Sequence, residues 1–252
     1  MTTTIRSATC IDATGLQFKE LNTKLREAVA DGADHIDLVN VHGQRYIGTD
    51  LDRPVLLDIY GTPGNDLGMF MDGPTVTVHG NAQDGCGNTM NDGEIVVEGH
   101  AGDIVGMSAR GGKIFVRDNV GYRAAIHMKE YKGKKPVIVI GGTAQDFAGE
   151  YMAGGVLVLL GLTLNGSMQH KASFIGTGMH AGVIYLRGTV NDYQLGKEVG
   201  TGALDDDDRK VLNPLLAEFG SRFDLDTDKI AGDKFIKLTP KYLRPYGRLY
   251  AY

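Results

Sequence analysis

Short apolar segments with an alternating pattern recur through the middle of this 252-residue chain. Leu57 and Ile59, Val76 and Val78, Ile95 and Val97, and Ile114 and Val116 are each two residues apart. The series continues as Ile138 and Ile140, Leu157 and Leu159, then Ile184 and Leu186. Period two marks a strand whose alternate side chains face a core. The segments are also in phase. Gly61, Gly80, Gly99 and Asp118 follow at intervals of 19 residues, as do Gly142 and Gly161. The step from Asp118 to Gly142 carries five extra residues, and that from Gly161 to Gly188 carries eight. A unit this short has no room for a helical hairpin, so it consists of strand and corner.

Glycine punctuates the same register. It supplies 36 residues, 26 of them between Gly61 and Gly188, about twice the usual share of ~7%. It falls in groups such as Gly61-Thr-Pro-Gly64-Asn-Asp-Leu-Gly68 and Gly99-His-Ala-Gly102-Asp-Ile-Val-Gly106. Corners repeated every turn need positive φ or close backbone approach, which glycine provides most cheaply. Similar apolar residues in one phase stack as successive turns of a β-solenoid. A second interior column is read at Met71, Met90, Ala109, Met152 and Met179, where flexible side chains fill irregular space. The expected fold is mainly β: a parallel β-helix (a single-stranded β-solenoid), right-handed by the crossover rule. It spans residues 61–194, with an α/β N-terminal cap over 1–60 and a C-terminal helical cap and tail over 195–252.

The caps protect strands that would otherwise be exposed at the solenoid ends. Thr14-Gly15-Leu16-Gln17 reads as a capping box, followed by helical spacing at Phe18, Leu21, Leu25 and Ala28 up to Asp31-Gly32. Strand-like segments follow at 35–41 and 45–47, joined by His42-Gly43. At the other end, Asp205–Asp208 is either a solvated loop or the acidic start of a helix through Val211, Leu212, Leu215, Leu216 and Phe219. Phe235–Leu238 reads as a last strand before Arg244-Pro245-Tyr246.

Composition narrows the function. With 42% hydrophobic and 23% charged residues the chain can bury a core, and a net charge of −5 argues against a nucleic-acid partner. The opening MTTTIRSATC has no apolar stretch of signal-peptide length and no run approaches 18 apolar residues, which predicts a cytoplasmic protein. Two cysteines, Cys10 and Cys86, are too few for a disulfide framework. Cys86 reads as interior filler. His35, His42, His79, His100, His127, His170 and His180 show no HxH or HExxH spacing, so no metal ligands are assigned. Gly176–Gly182 only faintly resembles a dinucleotide loop, and the sequon Asn165-Gly166-Ser167 carries little weight without a secretory signal. Asn65, Asp84, Asp103, Asp146 and Asp192 share one column, either as stacked calcium ligands or as side chains accepting N–H bonds within their own turns. The second reading avoids like charges about 4.8 Å apart. No catalytic or cofactor-binding residue is assigned.

Two surface features suggest docking. The outward middle strand position reads Thr77, Val96, Phe115, Val139, Val158 and Tyr185, with Val156, Leu160 and Val183 beside it. Such an apolar face is covered either by a partner or by the chain's own terminal helices. The insertion from Arg123 to Pro136 is basic through Arg123, Lys129, Lys132, Lys134 and Lys135. The candidate docking residues are Val96, Phe115, Val139, Val158, Tyr185, Lys132, Lys134 and Lys135.

The glycine repeat resembles the GXGXG domain that closes the large subunit of glutamate synthase, a right-handed β-helix. Gln44-Arg45-Tyr46-Ile47-Gly48-Thr49 is similar to the segment leading into that domain, and Phe235–Tyr242 to its closing strand and tail. The resemblance covers almost the whole chain. It implies a stand-alone, non-catalytic scaffold subunit working beside an ammonia route. The implied partners are a class II glutamine amidotransferase subunit and an FMN-binding glutamate synthase subunit that also holds an iron–sulfur cluster. Related β-helices form one of the subunits of formylmethanofuran dehydrogenase, which is the alternative assembly.

Overall fold

The computed structural model describes residues 8–166 and 168–242. The residues before Ala8, Ser167 of the sequon and the Arg244-Pro245-Tyr246 tail lie outside the described residues. In chain order the elements are β1 (Thr9–Asp12), α1 (Phe18–Ala30), β2 (His35–His42), β3 (Leu56–Thr62), β4 (Asp72–His79), β5 (Asp92–Val97) and β6 (Lys113–Val116). They continue as β7 (Val137–Ile140), β8 (Ala153–Leu159), β9 (Ala181–Arg187), β10 (Val199–Gly202), α2 (Asp206–Phe223), α3 (Asp228–Ala231) and β11 (Phe235–Pro240). All strands form one sheet, ordered β1 to β9 in sequence and then β11 and β10. Each neighbour pair from β1 to β9 is parallel, and β11 returns antiparallel against β9 and β10. The chain is a parallel β-solenoid.

The register follows the periodicity. Leu57 pairs with Val76, Val76 with Ile95 and Ile95 with Ile114, and the file continues through Ile138 and Leu157 to Ile184. These side chains and their partners two residues on are all buried in one continuous interior. Met71, Met90, Ala109, Met152 and Met179 are buried with them. Met128 and Leu51 complete this second file, which the repeat alone does not reveal. Ala153 donates its N–H to the Met128 carbonyl as Asn91 does to that of Met71, and Asp72 donates likewise to Leu51.

The corner between the two files has a conformational rhythm. Ile104, Gly106 and Ser108 have φ of +54°, +66° and +56°, and Phe147, Gly149 and Tyr151 repeat the pattern. Alternate residues therefore send their N–H groups to opposite neighbours: Ile104 donates to Tyr122 O at 2.7 Å, and Gly106 to Cys86 O at 2.8 Å. Those hydrogen bonds along the stack hold a backbone conformation that bulky residues normally avoid. The middle place also lacks room for a side chain: a Cβ on Gly106 would lie 2.2 Å from Ile138 Cδ1.

The ends differ in detail from the sequence reading. The stacking starts before residue 61, since β2 already pairs in register with β3. The predicted strand at 45–47 is instead the first glycine corner, with Tyr46 at φ +63° and its N–H on Asn65 O. The helix cap lies three residues later than predicted. Gln17 is the N-cap of α1 and donates its N–H to Glu20, while Thr14 turns back on Asp12. Leu21, Leu25 and Val29 of α1 join the interior. The acidic run is a helix start, with Asp205 as the N-cap of α2 accepting the Asp208 N–H at 2.9 Å.

Candidate functional site

Strand register places the outward residues in rows. One row runs Asp37, Asp58, Thr77, Val96, Phe115, Val139, Val158 and Tyr185. Its neighbour starts at His35 and Leu56, passes Thr75 and Glu94, and ends at Val156 and Val183. Both change from polar to apolar near β5. The apolar part lies beneath the C-terminal helices, where Leu212, Leu215, Leu216 and Phe219 of α2 and Ile230 of α3 close over it. Polar contacts fix the helix edges: Lys113 meets Glu218 at 2.6 Å, Arg222 meets Glu94 at 2.7 Å, and the Tyr185 hydroxyl donates to Asp208 at 2.9 Å. Burial, then the bond to Asp208, pushes the Tyr185 phenol pKa above its ordinary value.

This burial corrects the docking assignment. Val96, Phe115, Val139, Val158 and Tyr185 are at most 4% exposed, so they offer no surface to a partner in the folded chain. The amphipathic helix that follows the solenoid is their cover, the alternative the sequence left open. Of the basic insertion, Lys134 is held between Asp72 at 3.0 Å and Asp92 at 2.9 Å, contacts that raise its pKa. Tyr131 and Lys134 exchange backbone hydrogen bonds around the loop tip. Lys132 is exposed and lies 5.3 Å from the Tyr131 ring centroid, and exposed Lys135 is 4.0 Å from Glu130. Lys134 thus neutralises two neighbouring acids, while Lys132 and Lys135 remain exposed beside it.

The polar half of the outer face is a different surface. On β2 to β4, Leu56 and Tyr60 are exposed, with His35, Asp37, Asp58 and His79 between them half-buried. His35 and Asp37 lie two apart on β2 and so face the same way, and Asp58 is the register partner of Asp37. Asp58 accepts from both imidazoles: His35 Nε2 lies 2.8 Å from Oδ2 and His79 Nε2 lies 2.8 Å from Oδ1. Asp37 Oδ1 is 3.5 Å from His35 Nε2, and Glu98 is 3.1 Å from His79 Nδ1. The Tyr60 ring stacks on His79 at 4.6 Å. Burial disfavours protonated His79, but its hydrogen bonds to Asp58 and Glu98 outweigh that and hold its pKa above the ordinary value. Motif spacing did not reveal this cluster because its members come from four successive turns.

Other candidates resolve into structure. Asp84 and Asp103 accept N–H bonds, but from Asp103 and Tyr122 of the next turn rather than their own, and Asp146 accepts likewise from Ser173. Gly176 and Gly178 form a solenoid corner and Gly182 lies in β9, so no dinucleotide loop-to-helix turn exists there. Cys86 is buried and its thiol is pushed up to about 12, whereas Cys10 is exposed on β1. A groove of about 820 Å³ opens between α1 and β1, with Lys24, Glu27 and His35 on its walls. No described helix is long and apolar enough to cross a membrane.

A packed aliphatic interior, one continuous sheet and repeated glycine corners define a β-solenoid protein. The chain belongs to the family described as GXGXG motif, whose model matches residues 33–245. That is the family to which the resemblance in the repeat, lead-in and tail pointed. The chain is 49% identical over 248 residues to Uncharacterized protein MJ1350 of Methanocaldococcus jannaschii (strain ATCC 43067 / DSM 2661 / JAL-1 / JCM 10045 / NBRC 100440), covering 95% of each. It is also similar to a chain in the crystal structure of the formyltransferase/hydrolase complex (FhcABCD) from Methylorubrum extorquens in complex with methylofuran. The TM-score there is 0.64 at 19% identity, over 91% of this chain and 90% of that one. At that identity the likeness establishes the fold.

Proposed function

We propose that this protein is a non-catalytic scaffold subunit of a glutamate-synthase-like complex, joining a glutamine amidotransferase subunit to an FMN-binding synthase subunit beside the ammonia route. The observation that carries this reading is the division of the outer sheet. Its β5–β9 part is sealed by the chain's own helices, while the β2–β4 part presents Leu56 and Tyr60 to solvent on paired parallel strands. A continuously packed interior leaves the surface as the working part of the molecule. FMN and an iron–sulfur cluster belong, on this reading, to the synthase partner. The right-handed sense of the coil and a cytoplasmic location are part of the same reading.

A second reading makes the chain the β-helix of a formylmethanofuran dehydrogenase-type assembly. It is favoured by the fold shared with a chain of the formyltransferase/hydrolase complex. Affinity isolation of the native complex, with every subunit identified by mass spectrometry, separates the two. An amidotransferase and an FMN-barrel subunit in fixed ratio support the first. A molybdenum or tungsten dehydrogenase subunit, or the formyltransferase and hydrolase chains of the related complex, moves the assignment to the second. Recovery of a lone chain with intrinsic flavin or glutaminase turnover overturns both.

A further inference from the structure

We propose that His35, Asp37 and Asp58 form a binding site for one divalent transition-metal ion on the uncovered outer face, with His79 orienting Asp58 from behind. Charge is the first reason. Asp37 and Asp58 are direct neighbours on adjacent parallel strands, where like charges destabilise the pair. Glu98 brings a third carboxylate to the same network. Among the described residues, the ion pairs of these three acids are with the imidazoles of His35 and His79 rather than with lysine or arginine. The rest of this outward row carries no further carboxylate, continuing as Thr77, Val96 and Phe115. The two acids are concentrated where an imidazole stands beside them.

Geometry fits the ion. One ligand atom from each of His35, Asp37 and Asp58 lies within 4.8 Å of the other two. Ligand atoms on a common tetrahedral zinc, with bonds of about 2.0–2.2 Å, are separated by about 3.4 Å. His35 Nε2 is 3.5 Å from Asp37 Oδ1 and 2.8 Å from Asp58 Oδ2, spacings on either side of that value. Asp37 and Asp58 are register partners and His35 lies two residues from Asp37, so the three donors share one face of the sheet. To ligate through Nε2 the neutral His35 ring carries its proton on Nδ1, so the proton now shared with Asp58 is exchanged through solvent as the ion takes its place. The donor set is one imidazole and two carboxylates, which suits zinc or manganese rather than a thiolate-selected metal. A carboxylate held by a second histidine is the outer-shell arrangement that fixes ligand orientation. Three protein ligands leave an outward coordination position, to be filled by water or by a side chain docking on the β2–β4 face.

The test uses the full chain, freed of any affinity tag and stripped of metal. It is titrated with Zn²⁺ in competition with a chromophoric chelator, and with Co²⁺ monitored by its visible absorption. One ion per chain is expected. His35→Asn and Asp37→Asn should abolish or greatly weaken binding, and His79→Gln should weaken it about 10–100-fold. His100→Asn, at an exposed histidine outside the cluster, should leave it unchanged. Far-UV circular dichroism of each variant verifies that the fold persists, and a zinc-dependent rise in Tm confined to chains with the intact cluster gives a second readout. Failure of the folded wild-type chain to bind either metal overturns the site. So does binding whose affinity is the same in His35→Asn and Asp37→Asn as in the wild type.

Discussion

Asp84 Oδ1 accepts the backbone N–H of Asp103 at 2.9 Å, one turn further along the solenoid. The two occupy the same place in successive turns, and Asp103 passes the interaction on to Tyr122 at 2.8 Å. A carboxylate stacked on its like-charged neighbour is thus satisfied by that neighbour's main chain. The arrangement also requires glycine alongside: a Cβ on Gly102 would lie 2.1 Å from Asp84 Oδ1. A charge-assisted hydrogen bond contributes about 1.5–3 kcal/mol, toward the lower end at a solvated edge. Asp84→Ala should therefore lower unfolding free energy by about 1–2 kcal/mol in urea titrations, and Asp84→Asn by less. Equal losses in the two variants would mean that the acceptor oxygen contributes nothing.

Gly106 and Ile138 form a fitted pair. Gly106 has φ +66°, and a methyl group there would overlap Ile138 Cδ1. Gly106→Ala should cost about 2–4 kcal/mol, combining the left-handed backbone penalty with overpacking. Ile138→Val removes the obstructing methyl at its own cost of about 0.5–1.5 kcal/mol. The double variant should be more stable than the sum of the two losses implies, which a denaturation cycle would measure. Strict additivity would separate the pair. Ala125 occupies the equivalent corner of the next turn at φ +62°, and the strand beyond supplies Leu157 instead of isoleucine.

Phe115 shows how far a periodic pattern can be read. Its inward neighbours Ile114 and Val116 are interior from alternation alone, because phase repeats in every turn. The face of Phe115 was equally legible as apolar. Its cover was not, since helical spacing in 206–223 says that α2 has a buried side but not which surface receives it. Leu51 and Met128 were missed because one precedes the regular repeat and the other lies in its insertion. The strained corners were only half visible: glycine marks Gly106, but nothing in the side chains of Ile104 or Phe147 announces positive φ. The His35, Asp37 and Asp58 cluster joins residues whose spacing belongs to no local motif. Register brings them together, and register depends on the whole stack.

Because α2 seals the β5–β9 face, substitutions there should act on folding. Phe115 is fully buried against the helix side chains. Phe115→Ala should reduce stability by about 3–5 kcal/mol, and Phe115→Asp should lose more by placing an unpaired charge in the same space. Phe219→Ala, on the helix side of the contact, should cost a comparable amount. Thermal unfolding of the three variants provides the measurement. A Phe115→Asp chain with wild-type Tm would reinstate this surface as an open docking face.

Asp205 makes the attachment of α2 sensitive to acid. The Asp208 backbone N–H first, and then Lys237, draw the Asp205 carboxyl pKa from 3.8 down to about 2. A carboxylate depressed on folding contributes stability above its unfolded pKa and loses it as pH falls through the folded one. The contribution should therefore be complete above about pH 4 and disappear toward about pH 2. Asp205→Asn keeps an acceptor at the N-cap but removes the charge. Urea midpoints of the two proteins should converge at the acid end and separate as pH rises toward 5, with the gap narrowing at 1 M salt because the pair is exposed. A gap that stays constant from pH 2 to pH 6 would show that the neutral cap, and not the charge, holds the start of the helix.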